Sequence, residues 1–164
     1  MTEIERIVRE LEHAHAGSPW HGPSRSAVLA DVTVAEAARR PSARGHSIWA
    51  LVLHMSAWTG EVARRVREGN PRTPTERDWP EPPPASEAAW REALASLDRA
   101  HRELVAAVRG STPTRLDERT GVTDDPMAGG GATYRVMLHG LAQHDAYHTG
   151  QIALLKRLFR DAAS

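Results

Sequence analysis

The chain has 164 residues, with 21 Lys+Arg balanced by 21 Asp+Glu and 40% apolar residues. That is the size and composition of one globular domain, residues 1–164, without the positive surplus that phosphate backbones demand. Cysteine is absent, which excludes disulfides, a thiolate nucleophile and Cys-held metal, and leaves nine His and the carboxylates as ligands.

The first helix is predicted to open on Thr2-x-x-Glu5, a capping-box pattern, and to run to about Ala16. Ile4, Ile7, Val8 and Leu11 share one face of it. Its charged N-terminus is no signal peptide, and no apolar run is long enough to span a membrane, so a cytoplasmic chain is expected. Trp20-His21-Gly22-Pro23 reads as a loop, Ser24–Asp31 as a short helix, and Thr33-x-x-Glu36 as the cap of another that Pro41 ends. A second long helix is expected from Ser47 to Glu68, with Gly69 as its C-cap. Its half from Ile48 to Trp58 is apolar nearly all round and should be deeply buried.

The segment from Gly69 to Ala85 holds six prolines, so it reads as a crossover link or a lid, with Trp79 anchoring it to the body. A third long helix follows Ser86 and carries Trp90, Leu94, Leu97, His101, Leu104 and Val108 as its stripe up to Gly110. Ser111–Ala132 reads as irregular and ends in three glycines that lack the phosphate-loop pattern. A fourth long helix is expected from Thr133 to about Arg160. No strand pattern survives. The reading is an all-α four-helix bundle with a long crossover and short helices between the first two long ones.

The chemistry concentrates in His144-Asp145-Ala146-Tyr147-His148. Residues four apart on a helix share a side, so the two imidazoles can share one metal ion. Both fall in the apolar stripe, between Leu141 and Leu155. Hydrogen bonds, or a place at a bundle end in water, would satisfy the pair equally well. His54 interrupts the most apolar run of the chain and is the best third ligand, at a rim or bundle-end site. His101 reads as a core histidine hydrogen-bonded across the bundle, His139 as solvent-exposed, and His46 as a cap for the second long helix. Glu61 and Gln151 lie on suitable faces to orient the imidazoles from behind. Asp145 sits where the zincin motif has its general base, but about 100° around the helix from His144 and without the sheet and further ligand of zincins.

Three segments resemble the DinB-like/YfiT-like superfamily of four-helix-bundle proteins: Trp20–Ser24, His46–Trp58 through His54, and Gly140–Ile152. Their order spans nearly the whole chain. The resemblance implies an up-up-down-down bundle with a long crossover and one divalent metal, usually nickel or zinc, at one end. It also implies a ligand set of one His from the second long helix and an H-x3-H pair from the last, here His54, His144 and His148. Relatives are often homodimers and include thiol-dependent transferases and isomerases.

Three imidazoles leave coordination positions open, the arrangement of catalytic rather than structural sites. A metal-bound water, or a metal-bound thiolate from a low-molecular-weight thiol cosubstrate, is the expected nucleophile. The expected function is metal-dependent thiol transfer or hydrolysis on a small molecule, with no nucleic-acid or membrane partner. The alternatives are a non-catalytic metal-binding bundle acting as a dimeric stress-response scaffold, and a metal-free bundle whose pocket takes an apolar ligand.

Overall fold

A computed structural model describes residues 1–125, 128 and 130–162; Gly129 of the triple glycine lies outside them. The described residues form seven helices and no strand. These are α1 (Glu3–Ala16), α2 (Arg25–Leu29), α3 (Val34–Ala38), α4 (Ile48–Glu68), α5 (Glu87–Arg109), α6 (Pro113–Asp117) and α7 (Tyr134–Asp161).

The helix starts follow local chemistry. Thr2 and Thr33 close full capping boxes with Glu5 and Glu36, and Ser47, Ser86 and Thr133 each accept a backbone N–H of the first turn. Gly69 ends α4 at φ 89°, a left-handed conformation that a Cβ disfavours. Helix α6 falls in a stretch expected to be irregular. Its signal is Thr112 as N-cap followed by Pro113, whose fixed φ suits the first turn.

Each long helix packs on two others, α4 on α5 and α7, and α1 on α5 and α7. Two apolar clusters fill the interior. One joins the start of α4 (Ile48, Trp49, Val52, Met55), the start of α5 (Trp90, Leu97) and the end of α7 (Ile152, Phe159). The other joins the end of α4 (Val62, Val66), the end of α5 (Leu104, Val108) and the start of α7 (Leu138, Leu141) with Ile7 and Leu11 of α1. Helices α4 and α5 therefore run the same way and α7 runs against them. Contacts of Glu3 with Arg135 and of Glu10 with His139 set α1 alongside α7 in the same direction.

The order is thus up-down-down-up, which corrects the expected up-up-down-down. The reason lies in residues 17–47. Val28, Leu29, Val32 and Ala37 pack into the first cluster, so α2 and α3 cap the end where α1 stops and α4 begins. The chain turns back there instead of crossing. The proline-rich link makes the crossover, carrying the chain between the parallel α4 and α5.

Candidate metal centre

His54 of α4 faces His144 and His148 of α7 in the gap between the two apolar clusters. The site lies on the α4–α7 seam, part-way along the bundle and not at its end as expected. His144 Nε2 is 2.9 Å from His54 Nε2 and 3.1 Å from His148 Nε2. Three ring nitrogens thus point at one spot. His54 and His148 are buried, and His144 is half-buried.

The far side of each ring fixes what the near side presents. His54 Nδ1 donates to the Asp78 carbonyl at 2.6 Å, and His148 Nδ1 donates to Gln151 Oε1 at 2.6 Å. Their Nε2 atoms are then lone pairs. His144 Nδ1 is buried with no partner. Three neutral imidazoles can place at most one proton in the shared space, so the arrangement lacks a partner that a cation would supply. Tetrahedral ligation at 2.0–2.1 Å sets nitrogens about 3.4 Å apart, a small opening of the observed spacing. The donor set therefore fits one borderline divalent metal.

The electrostatics agree. Burial, then the positive forms of its two neighbours, push the His144 imidazole down to about 4. Burial also lowers His54 and His148, against the raising effect of the Asp78 carbonyl and of Gln151. All three are neutral near pH 7, the form that ligates metal.

The proline-rich link covers one side of the triad. Arg77 takes a left-handed φ of 73°. Beyond it, Asp78 accepts from Trp58 Nε1 at 2.7 Å through its carboxylate while its carbonyl holds His54. Trp79 lies flat between His46 and His54, at ring distances of 3.6 and 3.9 Å. Trp79 is thus the anchor of the link, and His46 stacks on it instead of capping α4. Sequence reasoning missed that the link holds His54 directly, through the Asp78 carbonyl and the Trp79 ring. On the other side, a cleft of about 400 Å³ opens on His54 and His144, walled by Trp58, Val62, Met137 and Leu141, with Arg65 and Asp78 at its polar edge.

The remaining candidates lie elsewhere. Glu61 does not reach the imidazoles. Seven residues return it to the face of His54 but about 10 Å along the axis, where it accepts from Arg64, Arg65 and Arg72. Asp145 points away from the triad and pairs with Arg25 at 2.6 Å. His101 is buried and stacks on His15, with ring centroids 4.0 Å apart. His139 is half-buried between Glu10 and Glu3, not free in solvent.

A family model described as the DinB superfamily matches residues 25–152, and the chain belongs to that superfamily. The fold is similar to the crystal structure of a DinB-like protein, YjoA, from Bacillus subtilis. The TM-score is 0.67 at 18% identity, over 94% of this chain and 92% of that one. None of the curated proteins matches the chain.

Proposed function

We propose that this chain is a metal-dependent enzyme of the DinB superfamily. His54, His144 and His148 hold one divalent ion, nickel or zinc, and the chain catalyses thiol transfer or hydrolysis on a small molecule as a homodimer. The observation that carries the reading is the convergence of three Nε2 atoms within 2.9 and 3.1 Å along the triad. When bound, the ion supplies Lewis-acid activation of a water or of a small thiol, and the chain itself has no cysteine to serve as that thiol.

The chain's own groups do the rest. Asp78 and Gln151 hold two imidazoles in the ligating tautomer. Gln151 is thereby assigned a supporting role, and Glu61 is assigned to the bundle. The apolar walls of the cleft beside His144 receive a substrate's carbon skeleton and exclude water from it. That open cleft favours an enzyme over a closed scaffold.

Mass spectrometry of untagged protein, purified without a nickel column, tests the reading. We expect about one metal per chain, lost from a His144→Ala/His148→Ala variant. A wild-type chain that stays metal-free after reconstitution with zinc and with nickel overturns it.

A further inference from the structure

Seven large apolar side chains are exposed among the described residues. Four of them, Val136, Tyr147, Leu154 and Leu158, lie along the outer face of α7. Two more, Trp20 and Met1, line the hollow between α1 and that face, and Trp20 is fully exposed. A chain with 26% charged residues has thus gathered six of these seven groups on one side, Val122 being the exception. Patches of this kind mark interaction sites.

The spacing on α7 names the occupant. Seven residues either side of Tyr147 stand Gly140 and Leu154, and eleven either side stand Val136 and Leu158. The face is therefore its own complement when a second α7 is laid on it antiparallel, with Tyr147 on the two-fold axis. Leu154 of each copy meets Gly140 of the other, where a Cβ would touch nothing within 4 Å. Gln143 of each copy falls over the equally open Gly150. Val136 meets Leu158. Small residues opposite large ones allow close helix approach, and a shared patch paired with itself is the geometry of a C2 dimer.

Charge agrees with the register. Arg157 is exposed and has no ion-pair partner among the described residues. It lies eighteen residues, five whole turns, beyond His139 and so on the same flank of α7. His139 is bound to Glu10 of α1, whose side chain is 43% exposed. In the antiparallel pair, Arg157 of one copy arrives beside Glu10 of the other. Area agrees as well. At about 150–250 Å² for a full aromatic side chain and less for an aliphatic one, the six exposed groups bring on the order of 700 Å² per copy, near the ~800 Å² of a standard interface.

We propose that the outer face of α7, with Trp20 beside it, is the interface of a two-fold dimer of this chain centred on Tyr147. The proposal rests on the homodimer of the functional reading and supplies its surface. The absence of cysteine gives a direct test. Oxidised full-length Tyr147→Cys is expected to cross-link to itself. Val136→Cys and Leu158→Cys are expected to cross-link only when mixed with each other. In sedimentation, the wild type is expected at twice 18.0 kDa, and Leu154→Glu at once that mass with unchanged helical circular dichroism. Arg157→Glu is expected to weaken the dimer about tenfold, and Glu10→Arg in the same chain to restore it. A monomeric wild type overturns this interface and the homodimer together, and leaves the face to a different partner. A dimer without the Tyr147→Cys cross-link, or one that survives Leu154→Glu, overturns the interface alone. Metal content, measured on the same samples, reports on the triad independently.

Discussion

The Asp78 carbonyl accepts a hydrogen bond from His54 Nδ1 at 2.6 Å, and this bond decides that Nε2 is the nitrogen His54 turns toward His144. The carbonyl is in place because Asp78 is itself pinned, by its carboxylate to Trp58 Nε1 at 2.7 Å and by the stacking of its neighbour Trp79 on His54. Asp78→Ala removes the pin while keeping the carbonyl. We expect metal affinity to fall about 10–100-fold, the usual cost of losing support behind a ligand. Competition against a chromogenic chelator measures it. Unchanged affinity would mean that the carbonyl holds its place without the carboxylate.

Gln151 and Glu61 separate a group that supports the triad from one that supports the fold. Gln151→Ala takes the acceptor from His148 Nδ1 and should lower metal affinity by a similar factor with little change in the metal-free melting temperature. Glu61→Ala should do the reverse. Burial pushes the Glu61 carboxyl up, but hydrogen bonds from Arg64 and Arg65 outweigh it and hold the group below its ordinary range. Removing a buried partner from such a network costs about 3–5 kcal/mol. Metal titrations and urea melts on both variants check the contrast.

Stripping the metal should itself destabilise the protein. An ion bound only by the folded chain raises stability by about 4 kcal/mol at a thousandfold excess over its dissociation constant. A chelator should lower the melting temperature of the wild type by several degrees and leave His144→Ala/His148→Ala unchanged. Equal shifts in both would place the ion outside the triad.

Acid should destabilise the chain through a second histidine cluster. Burial, then the charges of His15, Arg25 and Arg102, hold His101 down at about 3, and burial with Arg25 lowers His15 against the pull of Asp98. The folded chain keeps His101 neutral, whereas the unfolded imidazole titrates near 6.5. Below that pH the unfolded state gains a proton that the folded state refuses. Stability is therefore full above about 6.5 and is lost as pH falls from there toward about 3. His101→Leu should reduce the loss between pH 7.5 and pH 5 by about 1–2 kcal/mol, measured by urea unfolding of metal-free protein. An unaltered slope would exclude His101 as a source.

What could be read in the sequence was local. His144 and His148 declare themselves because four residues on one helix is a contact, and His54 because it breaks an apolar run. The caps at Thr2, Thr33, Ser86 and Thr133 were legible for the same reason, whereas Ser47 caps α4 in place of the expected His46. Three features were not. The Asp78 carbonyl carries no side-chain signature, and its aim depends on the turn at Arg77. The directions of the long helices depend on whether residues 17–47 cross the bundle or cap it, which their amphipathic pattern leaves open. Glu61 has the right azimuth at the wrong height, a distinction that facing alone does not make.

The Arg25–Asp145 pair tests whether the carboxylate beside His144 is chemical or structural. Arg25 is 1% exposed, bonds Asp145 at 2.6 Å and reaches His15 Nδ1 at 2.8 Å with its other nitrogen. Burial pushes the Asp145 carboxyl up and Arg25 pulls it down, so the charged form depends on its partner. Arg25→Met strands the carboxylate and should cost about 3–5 kcal/mol, whereas Arg25→Met/Asp145→Leu, which replaces both charges by apolar groups, should recover most of it. The double variant should also keep its metal, because Asp145 faces α2 and not the imidazoles. Calorimetry gives the first comparison and metal analysis the second. A double variant as unstable as the single one would show that His15 makes the charge network indispensable. A double variant that folds but loses its ion would show that Asp145 holds His144 in place after all.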